Sequence, residues 1–163
     1  MRFYRFLAMA PLAAFCLCLT ACRGPMPVDV VMDGGEVYFI LENPQEISAV
    51  RVMAVKPGGE AALLWELRHN MTTPVKERRF PKVKQLKYGV ALEEFPVAVG
   101  PAELQKNVEY TVHLDIGKNF AKEVFMITDD KGLVVPRPAF SRQRGRVYTA
   151  VTDKDGKKTF VLK

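Results

Sequence analysis

The chain is 163 residues long, with 48 % hydrophobic and 26 % charged residues and a formal net charge of +6. That length fits one domain of ordinary size, large enough to bury a working core without covalent staples. Beyond the first apolar run there is no second long apolar stretch, internal repeat or low-complexity tract, which excludes further helical membrane spans and a repeat architecture.

Arg2 and Arg5 open the chain as a short basic segment, and an uncharged apolar run follows from Phe6 to Leu19. The run is shorter than the roughly 20 residues that a spanning helix needs. A basic start, a short apolar core and small residues at its exit predict a secretory signal peptide. The exit reads Leu19-Thr20-Ala21-Cys22 and resembles the lipobox of bacterial lipoproteins, a resemblance confined to the first 22 residues. It implies a diacylglyceryl thioether on Cys22, removal of residues 1–21 and acylation of the new amino terminus with a palmitate-like chain. Arg23, rather than an aspartate, follows Cys22. By the same resemblance this favours the outer membrane, facing the periplasm, in a Gram-negative cell. In a Gram-positive cell the box implies the outer face of the cell membrane. Cys16 and Cys18 leave with the signal, so the mature chain would hold no internal disulfide. A zinc site on the three cysteines is a poor fit, because no histidine follows at metal-ligand spacing. No cofactor is implied.

Arg23-Gly24-Pro25-Met26-Pro27 reads as a tether that spans about 17 Å at full extension, so residues 22–27 form the lipidated cysteine and its tether and residues 28–163 the domain. Within the domain, segments 37–41 and 47–55 are rich in strand-forming residues. Leu63, Trp65 and Leu67 alternate with Leu64, Glu66 and Arg68, and Leu86, Tyr88, Val90 and Leu92 with Lys87, Gly89 and Ala91. Pro101 to Lys106 is the one stretch suited to a helical turn, with Pro101 at its start. Val108, Tyr110, Val112, Leu114 and Ile116 alternate with Glu109, Thr111, His113 and Asp115, which places the apolar set on one face of a strand. Segments 122–128 and 147–152 are strand-like as well. Turn signals separate these runs at Asp33-Gly34-Gly35, Pro57-Gly58-Gly59, Asp129-Asp130-Lys131-Gly132 and Asp155-Gly156.

Many short antiparallel strands in one modest domain predict an all-β, antiparallel sandwich of two sheets, each burying one face. Leu104 stands six residues before Tyr110, at the head of the clearest strand. This resembles the corner before strand F of fibronectin type III and immunoglobulin-like domains, where the tyrosine hydroxyl ties back to upstream backbone. Lys106-Asn107 stands where that family usually has proline-glycine.

Candidate chemistry is sparse. His113 and Asp115 share a strand face, but i and i+2 positions stand about 6–7 Å apart, which predicts no direct bond between base and orienter. Ser48 and Ser141 lack a nucleophile-elbow context. Asp153-Lys154-Asp155-Gly156 lacks the later oxygen ligands of a calcium loop and reads as a hairpin turn. Glu93 and Glu94 are adjacent and point to opposite faces, so they form no catalytic carboxylate pair. No metal site and no enzyme activity are expected, and a hydrolase is the weakest reading.

Charge is more informative. Residues 76–87 carry a net +5 and residues 137–146 a net +4, leaving −5 for the rest of the mature chain. Both segments read as loops, and clustered charge of this kind focuses a field toward anionic partners. The favoured expectation is a membrane-anchored, non-catalytic binding or assembly module that contacts an envelope protein. The alternative is an electrostatic binder of anionic lipid, glycan phosphate or, as the weakest fit, nucleic acid. Its residues would be Arg78, Arg79, Lys82, Arg142, Arg144 and Arg146, with Phe80 and Phe140 inserting or stacking.

Overall fold

The computed structural model describes residues 24–55, 60–70, 72–93, 95–130, 132–134 and 146–163. Strands β1 (Val28–Asp33) and β2 (Glu36–Glu46) form a hairpin, in register from Val28 opposite Leu41 to Asp33 opposite Glu36. Its turn needs two left-handed residues, and Gly34 and Gly35 supply φ of 59° and 82°. β5 (Lys82–Lys87) pairs with the other side of β2, giving a small sheet of order β1-β2-β5. The large sheet holds β3 (Ala49–Val55), β4 (Ala61–Arg68), β6 (Val97–Val99), β7 (Glu109–Ile116), β8 (Asn119–Ile127) and β9 (Leu133–Val134), in the order β6-β4-β3-β7-β8-β9. Strands β10 (Tyr148–Thr152) and β11 (Lys158–Leu162) form a separate hairpin, and every strand pair is antiparallel.

The two sheets pack face to face. Val28, Val30, Val37, Phe39, Leu41 and Leu86 of the small sheet share one core with Val50, Val52, Trp65, Leu67, Tyr110, Val112, Leu114 and Phe125 of the large one. Phe39 joins the layers, its ring 6.4 Å from Trp65 and 5.8 Å from Phe125. Period two therefore does in β7 what the sequence predicts: Tyr110, Val112, Leu114 and Ile116 are buried inward. Tyr110 ends its burial with a polar tie, donating to the Gln105 carbonyl (3.0 Å) and accepting from the Gln105 amide (2.6 Å). Asn107, at φ 58°, takes the left-handed conformation at that corner.

Three expectations are corrected. Trp65 and Leu67 are fully buried, but Leu63 is 38 % exposed. The register passes from Val52–Trp65 to Met53–Leu63, so Leu64 is an extra bulged residue and the alternation changes face there. The run from Leu86 to Leu92 is a strand only to Lys87, because Tyr88-Gly89 turns with Gly89 at φ 81°. Residues 101–105 form no helical turn, and the short 3-10 turn lies instead at Val75–Glu77.

The C-terminal hairpin forms a third layer, on the outer face of the small sheet. Phe160 packs on Tyr38 (4.7 Å between rings) and Ile40, with Val31 and Tyr148 beside them. Its turn is the one expected at Asp153–Gly156: Asp153 Oδ1 accepts from the amides of Asp155 and Lys157, and Gly156 has φ 78°.

Candidate functional site

The predicted basic residues divide into two kinds. Arg79, Phe80 and Lys82 lie on the surface where β5 begins, Lys82 opposite Glu46 at the end of β2. The Arg79 carbonyl accepts from His69 Nε2, and the His69 ring stands edge-on to Phe80 (5.2 Å) and Phe95 (4.5 Å). That contact leaves Phe80 41 % exposed. Arg78 Nε donates to the Thr73 carbonyl at 2.9 Å. Arg146, in contrast, serves the fold. Its Nη1 lies 3.2 Å from Asp29 Oδ2 and its Nη2 3.9 Å from Glu42. Asp29 is buried on β1 and also accepts from the Tyr148 hydroxyl. The Asp29 hydrogen bond holds the Arg146 guanidinium charged, and burial, reinforced by the same carboxylate, pushes the Tyr148 phenol up to about 12. Cys22, Phe140, Arg142 and Arg144, with the signal segment 1–21, lie outside the described residues. The expected loop at 76–87 is half strand, since its second part is β5.

Parts of the two basic segments come together. Lys84 and Arg146 line one hollow of about 100 Å³ with Glu42, Tyr148 and Leu162. This hollow lies toward one pole of the sandwich, where β2 turns into β3, β7 into β8, and β5 begins. The N-terminal segment joins the fold at the same pole: the Met26 amide donates to the Phe120 carbonyl at 2.8 Å, and Met26 bridges Ala121 in parallel. Lys118 sits there in the β7–β8 turn, and the Lys163 amide closes the open end of the last hairpin on the Val147 carbonyl. Lys118 and Lys163 are not legible as site residues in the sequence, because neither stands in a charge cluster. The turn between the strand runs 108–116 and 122–128 was the available signal for Lys118.

The outer face of the large sheet carries a charge ladder. Arg68 Nε contacts Glu66 Oε2 at 3.4 Å, Arg51 reaches Glu66 at 3.2 Å and Asp115 at 2.8 Å, and Asp115 meets His113 Nε2 at 3.0 Å. The expected gap between His113 and Asp115 is thus closed by side chains leaning toward each other, with the His113 ring stacked on Phe120 at 5.1 Å. An oriented imidazole is one part of a hydrolytic site, but Ser48 Oγ bonds the Asp115 carbonyl (3.3 Å) and not the imidazole. Among the described residues, no three His, Cys, Asp or Glu side chains converge as a metal site requires, and no helix is long and apolar enough to cross a membrane. A hollow of about 830 Å³ lies at the opposite pole; alanine, valine and leucine side chains line it, with Glu103 and Glu109 as its charges. No protein-family model matches the chain, and no curated protein or solved structure matches it at a significant level.

Proposed function

We propose that the protein is a cell-envelope lipoprotein, held on a membrane by lipid on Cys22 and acting as a non-catalytic binding or assembly module. The observation that carries this reading is the order of basic segment, apolar run and Leu19-Thr20-Ala21-Cys22, placed four residues before a Met26 that is already paired into the large sheet. Counted from Met26, the free tether is shorter than the sequence suggests: four residues span at most about 14 Å. The module is of the immunoglobulin or fibronectin type. With β1, β2 and β5 as its strands A, B and E, and β3, β7 and β8 as C, F and G, each set is adjacent in one sheet. Tyr110 tied to Gln105 supports the same assignment, as does Asn107 at φ 58° where the family usually has glycine.

Metabolic labelling with a palmitate analogue tests the reading. One acyl chain holds a protein on a membrane only marginally, and stable anchoring takes two signals. The wild-type chain should therefore take up label and stay with the membrane through washing. Cys22→Ala should take up none and accumulate as uncut precursor. A wild-type chain that takes up no label removes the lipoprotein reading.

A further inference from the structure

We infer that the pole at which the N-terminal segment joins the sandwich docks on the anionic phospholipid headgroups of the membrane that anchors the chain. The inference rests on the lipid-anchor reading and names the surface that anchor brings into contact. Cys22 is two residues from Gly24, so the two Cα atoms are separated by at most about 7 Å whatever the chain does between them. Met26 fixes the next stretch to β8 beside Phe120. A lipid on Cys22 therefore holds this pole, and not the opposite one, against the headgroups.

The chemistry of the pole fits that neighbour. Lys118 projects from the β7–β8 turn beside the chain's point of attachment, Lys82 and Arg79 from the start of β5, and Lys163 from the last hairpin. Apolar side chains lie among them: Phe120 is 37 % exposed and Leu162 54 %. Basic residues mixed with exposed apolar ones make an interfacial surface, the apolar groups entering the headgroup boundary while the cations meet phosphate. Glu42, Glu46, Glu77, Glu93 and Asp115 are the described acids of this region; Glu42 already neighbours Arg146, and Asp115 is held by Arg51 and His113. The opposite pole has the reverse balance. Asp33, Glu36, Glu103, Glu109, Asp129, Asp130, Asp153 and Asp155 lie there beside Lys87, Lys106, Lys154, Lys157 and Lys158. Arg146, the residue of the basic segments that pairs with buried Asp29, is not part of the docking set.

Lysine footprinting on the lipidated chain, reconstituted in phosphatidylcholine vesicles with and without phosphatidylglycerol, tests the proposal. Acylation of Lys82, Lys118 and Lys163 should slow on the anionic vesicles at low salt, and recover as salt shortens the Debye length to about 8 Å. Lys106, Lys154 and Lys157 should react alike on both. A basic residue near an anionic membrane shifts the docked-to-free ratio about fivefold, so the Lys82→Glu/Lys118→Glu double variant should lose most of the protection at Lys163. Lys154→Glu/Lys157→Glu should keep it. Equal protection on both vesicle types, or at both poles, overturns the proposal. The mass of the peptide containing residue 22 reads lipidation separately. An unmodified Cys22 defeats the anchor reading, whereas a lipidated chain without pole-selective protection defeats only the docking.

Discussion

The apolar layer between the two sheets and the smaller one under the C-terminal hairpin are held by different forces. Between the sheets the contact is almost wholly apolar, with Trp65, Phe39, Phe125 and Tyr110 fully or nearly fully buried. Under the hairpin the buried apolar cluster is Tyr38, Ile40 and Phe160, and polar contacts surround it. The Gln85 amide works like a piece of strand, donating to the Lys158 carbonyl (2.5 Å) and accepting from the Phe160 amide (3.2 Å). Lys158 reaches Asp33 at 2.6 Å, and Arg146 and Tyr148 converge on Asp29. Burial contributes roughly 25 cal/mol per Å², whereas a hydrogen bond contributes a net of about 1 kcal/mol. The first layer should therefore set global stability. The second should behave as a local unit that opens by itself, as weakly packed elements do.

The largest effect should come from the first layer. Trp65→Ala removes the biggest fully buried side chain and should cost about 3–5 kcal/mol, read as a lower midpoint in a denaturant melt. A change under about 1 kcal/mol would mean that the sandwich does not close on Trp65. Asp29→Ala should do something different. It removes the shared acceptor of Tyr148 and Arg146, and Arg146 can turn to water because its side chain is already 26 % exposed. The expected cost is about 1–3 kcal/mol, concentrated in the hairpin. Amide exchange should quicken across 148–162 while β7 keeps its protection. Equal acceleration in β7 would show that the two layers unfold as one, and the contrast between them would fail.

The first layer was also the easier one to read from sequence. Five apolar residues at period two predict β7 and its buried face directly, and Leu104 with Tyr110 predicts a tie that exists in atomic detail. The errors come from places where a single residue changes the period. The extra Leu64 turns Leu63 outward, and no local composition announces a bulge. Glu123 lies in a strand read as apolar and faces inward opposite Val112, with its carboxylate bonded to the Val124 amide. The hairpin layer was harder because its partners are far apart in the chain. Nothing near Arg146 predicts that Asp29, on the first strand, will neutralise it, so it read as one more surface cation. Lys118 joins the basic pole only once β7 and β8 have paired.

The smallest expected effect belongs at the rim where the two layers meet. Glu36 begins β2, next to the turn that Lys158 covers. Its carboxylate accepts from Lys87 at 2.5 Å and from the Tyr38 hydroxyl at 2.7 Å. These contacts, the Lys87 bond first, hold its pKa below the ordinary value of 4.5. Burial, helped by the same carboxylate, pushes the Tyr38 phenol up to about 12, so the donor stays protonated throughout the acid range. A carboxylate whose pKa is depressed by folding stabilises the fold fully above its unfolded value, about 4.3, and loses that contribution as pH falls through the lower folded value. The loss therefore lies on the acid side of the ordinary carboxylate range, with nothing changing near neutrality. The pair is exposed, so salt should weaken it. A carboxyl titration followed by NMR should find Glu36 below the ordinary glutamate value. Lys87→Met should raise it toward that value, with little change in the melt at neutral pH. If Glu36 titrates at the ordinary value in the wild-type chain, the rim contact is too loose to matter. The hairpin layer would then rest on Gln85, Lys158 and the Asp29 cluster alone.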